Sequence, residues 1–245
     1  RLLSILRDDC RDFVFANRIS QFRTSLELRN DRGMHHRMRA CETGLGLAVR
    51  QKGSPNIVDC GLGLEFYDTP DPEAAAAHIT RILSHYADER ATARGKTRVL
   101  FQGMGTLELP FRRDLSAQVS HSGTSMFNRE HAALHESFVL IDSRSASFGQ
   151  APFDLEGTLR SDVNLRVLDA GGVRAVPASK RDALRYGMPV TGNANGPHTS
   201  LPSTSLAHAM VRPTCDDLKA LTGGEPVLWI DLAAGSDCSA NGDFA

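Results

Sequence analysis

The sequence predicts an α/β protein whose mixed or mostly parallel sheet is flanked by helices, with a helical segment at the N-terminus. Two observations support this fold class. Helical patterns alternate with short apolar runs typical of buried strands, and apolar residues recur at helical spacing through residues 1–53. The predicted strands are residues 56–60, 97–102, 138–142, 165–169 and 227–232. Strands that alternate with helices favour parallel βαβ units.

Two helices are predicted before the first strand. Leu3, Leu6 and Cys10 recur at helical spacing, and the pattern extends through residues 1–29. A second helix is predicted over residues 34–50, where Gly44 and Gly46 either weaken the helix or permit close packing. These helices make residues 1–53 a helical segment that packs on the sheet.

The strongest helix signal follows the first strand. Asp71 provides an N-cap, Pro72 suits the first helical position, and Glu73 places a carboxylate near the positive end of the helix dipole. Strand 97–102 comes next. The order strand, helix, strand predicts a βαβ unit with a right-handed crossover.

The second half of the chain is predicted to be less regular. A short helix is expected from Asn128 to about Glu136, and another over residues 179–186. A third is capped by Thr214 and ends at Gly223. Residues 187–213 are rich in Gly, Pro, Ser and Thr and are predicted to form a long irregular loop. We expect a single α/β domain over residues 1–245.

Composition excludes several classes of protein. The 245 residues are 41% hydrophobic and 23% charged, with a formal net charge of −1, which argues against a disordered chain and against a basic protein that coats nucleic acid. No apolar run is long enough to span a bilayer. The five cysteines form no CxxC pair, which favours reduced thiols. We therefore expect a cytoplasmic protein without membrane or nucleic-acid partners.

Four polar loops are predicted to line a cleft at the carboxyl ends of the strands: residues 59–63, 102–106, 121–124 and 142–144. In open α/β sheets, ligands bind beyond the carboxyl ends of the strands. The leading hypothesis is therefore an enzyme that acts on a small anionic metabolite in a shared cleft.

Individual roles follow from side-chain chemistry. Asp142 is the candidate acid–base or metal-facing carboxylate, His121 its partner, and Cys60 a candidate nucleophile. Arg144 is the candidate clamp for an anion. The other predicted anion-binding residues are Gly103, Gly105, Thr106, Gly123 and Thr124.

Two of these segments resemble loops of known families. Residues 57–65, in which Asp59 precedes Gly61-Leu62-Gly63, resemble the cofactor loop of S-adenosylmethionine-dependent methyltransferases. A three-residue hairpin turn is the alternative. Residues 139–149, an apolar strand that ends in Asp142 before a Ser/Gly loop, are similar to the pyrophosphate-binding loop of phosphoribosyltransferases. That resemblance implies an anion-binding loop.

A metal site is the first alternative hypothesis. In a helix, His131 and His135 lie one turn apart and could chelate a divalent metal such as zinc. Glu130 or Glu136 could then act as general base, and His121 or Asp142 could complete the site. This arrangement predicts a metal-dependent hydrolase.

A second alternative concerns a basic cluster and the irregular loop. The cluster is Arg29, Arg32, His35, His36, Arg37 and Arg39. It is either a solvated face or a surface for phosphates. Together with residues 187–213 it could form subunit contacts, which predicts a non-catalytic subunit of a homo-oligomer or shell.

Overall fold

The described part of the chain is built mainly from small antiparallel sheets. The computed structural model describes residues 1–67, 71–86, 98–101, 114–128, 134–145, 147, 149–197, 199–215 and 217–230. The helices are α1 (Leu2–Asp9), α2 (Pro72–Tyr86), α3 (Ala117–His121), α4 (Lys180–Tyr186) and α5 (Leu218–Thr222). The strands are β1 (Phe13–Arg29), β2 (His35–Gln51), β3 (Cys60–Phe66), β4 (Val99–Phe101), β5 (Leu140–Ser143), β6 (Asn164–Asp169), β7 (Gly172–Val173), β8 (Ala194–Asn195), β9 (Ser203–Thr204), β10 (Ala209–Val211) and β11 (Leu228–Ile230). Within these ranges no helix has the length and apolar character that a bilayer crossing requires.

The predicted α/β class, with a mixed or mostly parallel sheet flanked by helices, is wrong. One sheet has the strand order β1-β2-β3 and another the order β10-β5-β6-β7, while β8 pairs with β9. The described pairs of β2 with β3, of β5 with β6 and β10, of β6 with β7 and of β8 with β9 are antiparallel, whereas β4 and β11 are parallel. The sheets are therefore made largely by strands that return on one another.

The predicted N-terminal helical segment is also wrong beyond residue 9. Only α1 is helical, and β1 and β2 are strands of 17 residues each. In β2 the buried residues alternate strictly, because Leu45, Leu47 and Val49 face the core. That period of two is the strand signal, and Gly44 and Gly46 in the same stretch disfavour a helix.

The predicted βαβ unit does not form either. The loop from residue 52 to residue 59 turns the chain back, so β3 lies antiparallel to β2 with Gly63 opposite Gly46. Asp59 closes this loop by accepting hydrogen bonds from the Ser54 hydroxyl (2.6 Å), the Asn56 amide and the Gln51 backbone. These bonds, led by that of Ser54, hold the pKa of Asp59 below its ordinary value. Strand β4 pairs with β11 instead of β3.

Several other helices and strands form where the sequence predicts them. Helix α2 begins at Pro72, and α4 has a full capping box in which Ser179 and Asp182 bond each other's backbone. Gly187 ends α4 in the left-handed conformation. Helix α5 forms as predicted, although Asp217 caps it in place of Thr214. Strands β4, β5, β6 and β11 fall within predicted strands or one residue beyond.

Contacts divide the chain into two compact units. The first comprises Arg1–Leu26 with Met38–Gly95, and the second comprises Glu27–Arg37 with Lys96–Ala245. The single-domain assignment over residues 1–245 stays a prediction. In the first unit, the buried side chains of β2 and β3 pack with residues from α1 and α2; the set is Leu6, Cys10, Leu45, Leu47, Val49, Leu62, Ala76, Ile79, Ile82 and Leu83.

The second unit has a smaller apolar core around β5 and β6. Its buried members are Leu115, Leu140, Val167, Leu168 and Leu206. The segment 187–213, expected to be irregular, contains β8, β9 and β10, and β10 extends the sheet at β5. The buried polar or charged side chains of the described residues also lie in this unit, and Asp142, Arg144, Asp154 and Asn193 are among them.

The turn between β1 and β2 is anchored within the second unit. The His36 ring stacks on Phe153 at 5.1 Å, and its Nε2 lies 3.2 Å from the carbonyl oxygen of Gly157. Met34 lies so close to Gly157 that a Cβ there would be 2.0 Å from the Met34 sulfur. Gly157 also has φ +72°, which favours glycine.

We predict that Gly157→Ala destabilises the protein by about 2 kcal/mol, mostly from the left-handed φ and in smaller part from the displacement of the flexible Met34 side chain. Gly187→Ala is the matched control, since Gly187 has φ +66° with open space around it. We expect it to cost only about 1 kcal/mol. Urea unfolding of both variants measures the difference. In a Met34→Ala background the two costs should become equal, and a persisting difference would contradict the packing explanation.

Candidate functional site

Asp142 lies at the centre of a buried polar network in the second unit. It occupies the third position of β5, between β6 and β10, opposite Leu165 and Ala209. The residue has 0% solvent exposure. The sequence places it there because Leu140 and Asp142 share the buried face of the strand.

Both carboxylate oxygens of Asp142 are occupied. Arg160 Nη2 (2.7 Å) and Asn193 Nδ2 (2.8 Å) donate to Oδ2. The backbone N–H groups of Ala207 (2.6 Å) and His208 (3.0 Å) donate to Oδ1. A buried charge needs such compensation, and here four donors supply it.

Arg160 extends the network to neighbouring segments. Its side chain is only 5% exposed. Nε donates to the Thr191 carbonyl (3.0 Å), Nη1 to the Asp142 carbonyl (2.9 Å) and Nη2 to Asn193 Oδ1 (2.7 Å). The rigid guanidinium therefore joins β5 to the segment before β8, a role that lysine could not fill.

Arg144, the predicted anion clamp, is buried beside this network. Its Nη1 donates to the carbonyl oxygens of Ala151 and Phe153, both at 3.2 Å. Burial lowers the pKa of Arg144 and the charge of Arg160 lowers it further, while Asp142 and Asp154 oppose the shift. Its Nε has no partner among the described residues. The clamp role stays a prediction, although Nη1 already bonds two carbonyl oxygens of the protein's own backbone.

His121 does not meet Asp142 in this structure. It ends α3, and its ring contacts that of Tyr186 at 4.5 Å. Beside it, the hydroxyls of Ser122 and Thr124 bond each other at 2.8 Å. The predicted anion-binding residues Gly123 and Thr124 thus lie next to His121, on an exposed turn and apart from the four donors that surround Asp142.

Cys60 lies in the first unit, opposite Val49 at the start of β3. Burial raises the pKa of its thiol, and the Asp59 carboxylate raises it further. Both effects disfavour the thiolate that nucleophilic attack requires. The nucleophile role stays a prediction, and the electrostatics around Cys60 oppose it.

Several predicted residues lie outside the described ranges: Gly103, Gly105, Thr106, Glu130 and His131. His135 is described and lies outside any helix, with its Nδ1 2.7 Å from the Ser137 hydroxyl. Across the part of the chain that the structure describes, no group of three or more His, Cys, Asp or Glu side chains could hold a metal ion.

The partners Arg160 and Asn193 were missed by sequence reasoning. Asp142 was identified because it ends an apolar strand, and such a carboxylate needs a buried donor. Nothing in the spacing of residues 142, 160 and 193 selects those donors from the other arginines and asparagines. The pairing is set by tertiary structure.

We predict that Asp142→Asn destabilises the protein by about 3–5 kcal/mol, because it leaves Arg160 buried without a counter-charge. Asp169→Asn is the control, since Asp169 pairs with the exposed Arg166. We expect the control to cost under about 1 kcal/mol. Urea unfolding measures both, and similar costs would show that the buried pair contributes nothing special.

A pH dependence is expected from Asp182 in α4. Burial raises the pKa of Asp182, but hydrogen bonds from Thr204 and Ser179 outweigh it and leave the pKa below its ordinary value. A lowered folded-state pKa stabilises the protein above the unfolded value of about 4, and this stabilisation is lost as pH falls through the folded pKa. The unfolding free-energy difference between wild type and Asp182→Asn should therefore shrink between pH 6 and pH 3. A constant difference would contradict this.

Comparison with solved structures shows a shared fold. TldE from Thermococcus kodakarensis superimposes with a TM-score of 0.78 at 14% identity, over 98% of this chain and 57% of that chain. A protein from Bacteroides thetaiotaomicron, described as a candidate modulator of DNA gyrase, gives 0.67 at 13% identity, over 99% and 57%. A protein from Thermotoga maritima with a similar description gives 0.60 at 15% identity, over 89% and 52%. The chain therefore spans just over half the length of these structures.

Comparison with sequences gives one informative result. No curated protein matches the chain significantly. The model of the PmbA/TldA metallopeptidase C-terminal domain matches residues 71–245, which include β5, Arg160, Asn193 and most of the second unit. The chain belongs to the PmbA/TldA metallopeptidase C-terminal domain family.

Proposed function

We propose that this chain takes part in metal-dependent peptide hydrolysis as a subunit whose described residues form a framework and do not hold the metal. The family match over residues 71–245 supports the reaction class. The saturation of Asp142 by four donors is the observation that supports the framework role. The match gives no support to a small anionic metabolite as substrate.

The metal of a metallopeptidase does not fit the described residues. Such a metal supplies an activated water, and it needs about three protein ligands with free lone pairs. No suitable group of three exists among the described side chains. Asp142, whose exposure to solvent is 0%, is committed to Arg160 and Asn193. Releasing it to bind a metal would leave a buried arginine unpaired.

The His131/His135 hypothesis agrees with the family in reaction class but lacks a complete ligand set in the described residues. His135 uses Nδ1 towards Ser137, both to contact its hydroxyl and to accept from its backbone N–H. That leaves Nε2 as its metal-binding atom. The framework proposal and this hypothesis make opposite predictions for the chain purified alone.

The experiment compares the chain produced alone with the same tagged chain purified from its native cells. Hydrolysis of fluorescently labelled casein is measured with and without EDTA, and bound metal is measured by mass spectrometry. We expect EDTA-sensitive hydrolysis in the native preparation, and neither hydrolysis nor stoichiometric metal in the chain produced alone. Absence of EDTA-sensitive hydrolysis from both preparations would overturn the reaction class.

A different outcome would overturn the framework role. If the chain alone binds one metal and hydrolyses casein, the metal site belongs to this chain. The double variant His131→Ala/His135→Ala would then lose both metal and activity, as the metal-dependent hydrolase hypothesis requires. His78→Ala is the matched control, because His78 lies on α2, far along the sequence from these two histidines.

A further inference from the structure

A basic segment forms the end of the β1–β2 hairpin. The chain as a whole has a net charge of −1, yet residues 18–39 contain six arginines against two acidic residues, Glu27 and Asp31. From the sequence alone, residues 29–39 of this segment are either a solvated face or a surface for a phosphate or a nucleic-acid backbone. The structure places part of it on one face of the hairpin.

Four side chains meet there, which we name the Glu27 cluster: Glu27, Arg29, His35 and Arg37. All four belong to the second unit. Arg29 Nη2 and His35 Nε2 contact Glu27 Oε1, the latter at 3.0 Å, and Arg37 Nη2 contacts Oε2 at 3.1 Å. Side chains two apart on a strand point the same way, so Glu27 and Arg29 share a face.

Charge is unbalanced in the Glu27 cluster. One carboxylate serves two guanidinium groups, which leaves a positive charge in excess even when His35 is neutral. The arginine side chains are 65% and 53% exposed, so their remaining N–H groups are accessible to a ligand. The hydrogen bond from Arg37 is the main cause of the lowered pKa of Glu27, despite an opposing desolvation effect.

Glu27 itself shows which ligand chemistry fits. It is a carboxylate side chain held between two guanidinium groups, and arginine pairs with carboxylates in this way throughout proteins. Because the pair is exposed, the contact is weak and exchangeable. A carboxylate from another molecule can therefore compete with Glu27 for the same donors.

We propose that the Glu27 cluster binds the carboxylate side chains of an acidic polypeptide, which exchange with Glu27 on Arg29 and Arg37. This inference rests on the proposed function, because it names acidic polypeptides as the class of polypeptide that binds to the proposed subunit. Nucleic acid is the competing anion. Residues 27–37, which contain the whole Glu27 cluster, include no Phe, Tyr or Trp on which bases could stack, which favours the polypeptide over single-stranded nucleic acid.

The test measures binding of a fluorescein-labelled oligo-glutamate peptide by anisotropy at low salt. We expect Arg29→Gln/Arg37→Gln to weaken binding about tenfold, since two charges that face the ligand are removed. We expect Glu27→Gln to tighten binding by about threefold, because the competing carboxylate is lost. Arg166→Gln is the matched control, an exposed arginine on β6 paired with Asp169, and it should leave affinity unchanged.

Two results would overturn the proposal. One is equal affinity of all variants for oligo-glutamate, with Glu27→Gln giving no gain. The other is tighter binding of a single- or double-stranded oligonucleotide than of oligo-glutamate. Oligo-glutamine reports uncharged background binding, and circular dichroism verifies that each variant is folded. These results do not depend on casein hydrolysis, so failure here and failure of the proposed function are distinguishable.

Discussion

The ion pair between Asp142 and Arg160 joins β5 to three other segments of the second unit, at residues 160, 191–193 and 207–208. A carboxylate and a guanidinium that are both removed from water would be costly unless every lone pair and N–H group found a partner. Here the carboxylate receives backbone donors from residues 207 and 208, and the guanidinium reaches Thr191 and Asn193. One pair therefore fixes β5 relative to the loops before β8 and before β10. Strands of two to four residues could not hold such loops by their ladders alone.

This role restricts the chemistry available at the site. A group that acts as acid, base or metal ligand must keep a lone pair or a proton free for exchange. Asp142 keeps neither, since four donors converge on it, and Arg144 spends Nη1 on two carbonyl oxygens. These contacts of Asp142 and Arg144 are those of a buried centre that holds the fold together. Among the described residues, the charges that another molecule can reach are therefore the exposed ones.

Local signals in the sequence were sufficient for some elements and failed for others. The N-cap and proline of α2, the capping box at Ser179 and the glycine after α4 act within a few residues, so the sequence predicts them. The sequence predicts helices where β1 and β2 form, because the apolar residues of positions 1–50 fit the helical period of 3.6 as well as the strand period of two. Leu45, Leu47 and Val49 nevertheless alternate strictly, as in a strand. Pairings such as β5 with β10 join residues almost 70 positions apart. No local pattern encodes them, and the same holds for the choice of Arg160 as partner of Asp142.

Glu27 and Asp142 show how burial determines whether a carboxylate–arginine ion pair is permanent or exchangeable. Each is a carboxylate held by arginine, and the contact distances are similar. Asp142 is wholly buried, so breaking its ion pair would leave the charge of Arg160 unpaired in a medium of low dielectric constant. The contact is therefore effectively permanent. The side chain of Glu27 is 33% exposed, so water and salt ions replace its contacts at little cost. The first arrangement holds a fold together, and the second leaves cations that another carboxylate can reach. Hence added salt should weaken ligand binding at Glu27 long before it affects the network at Asp142.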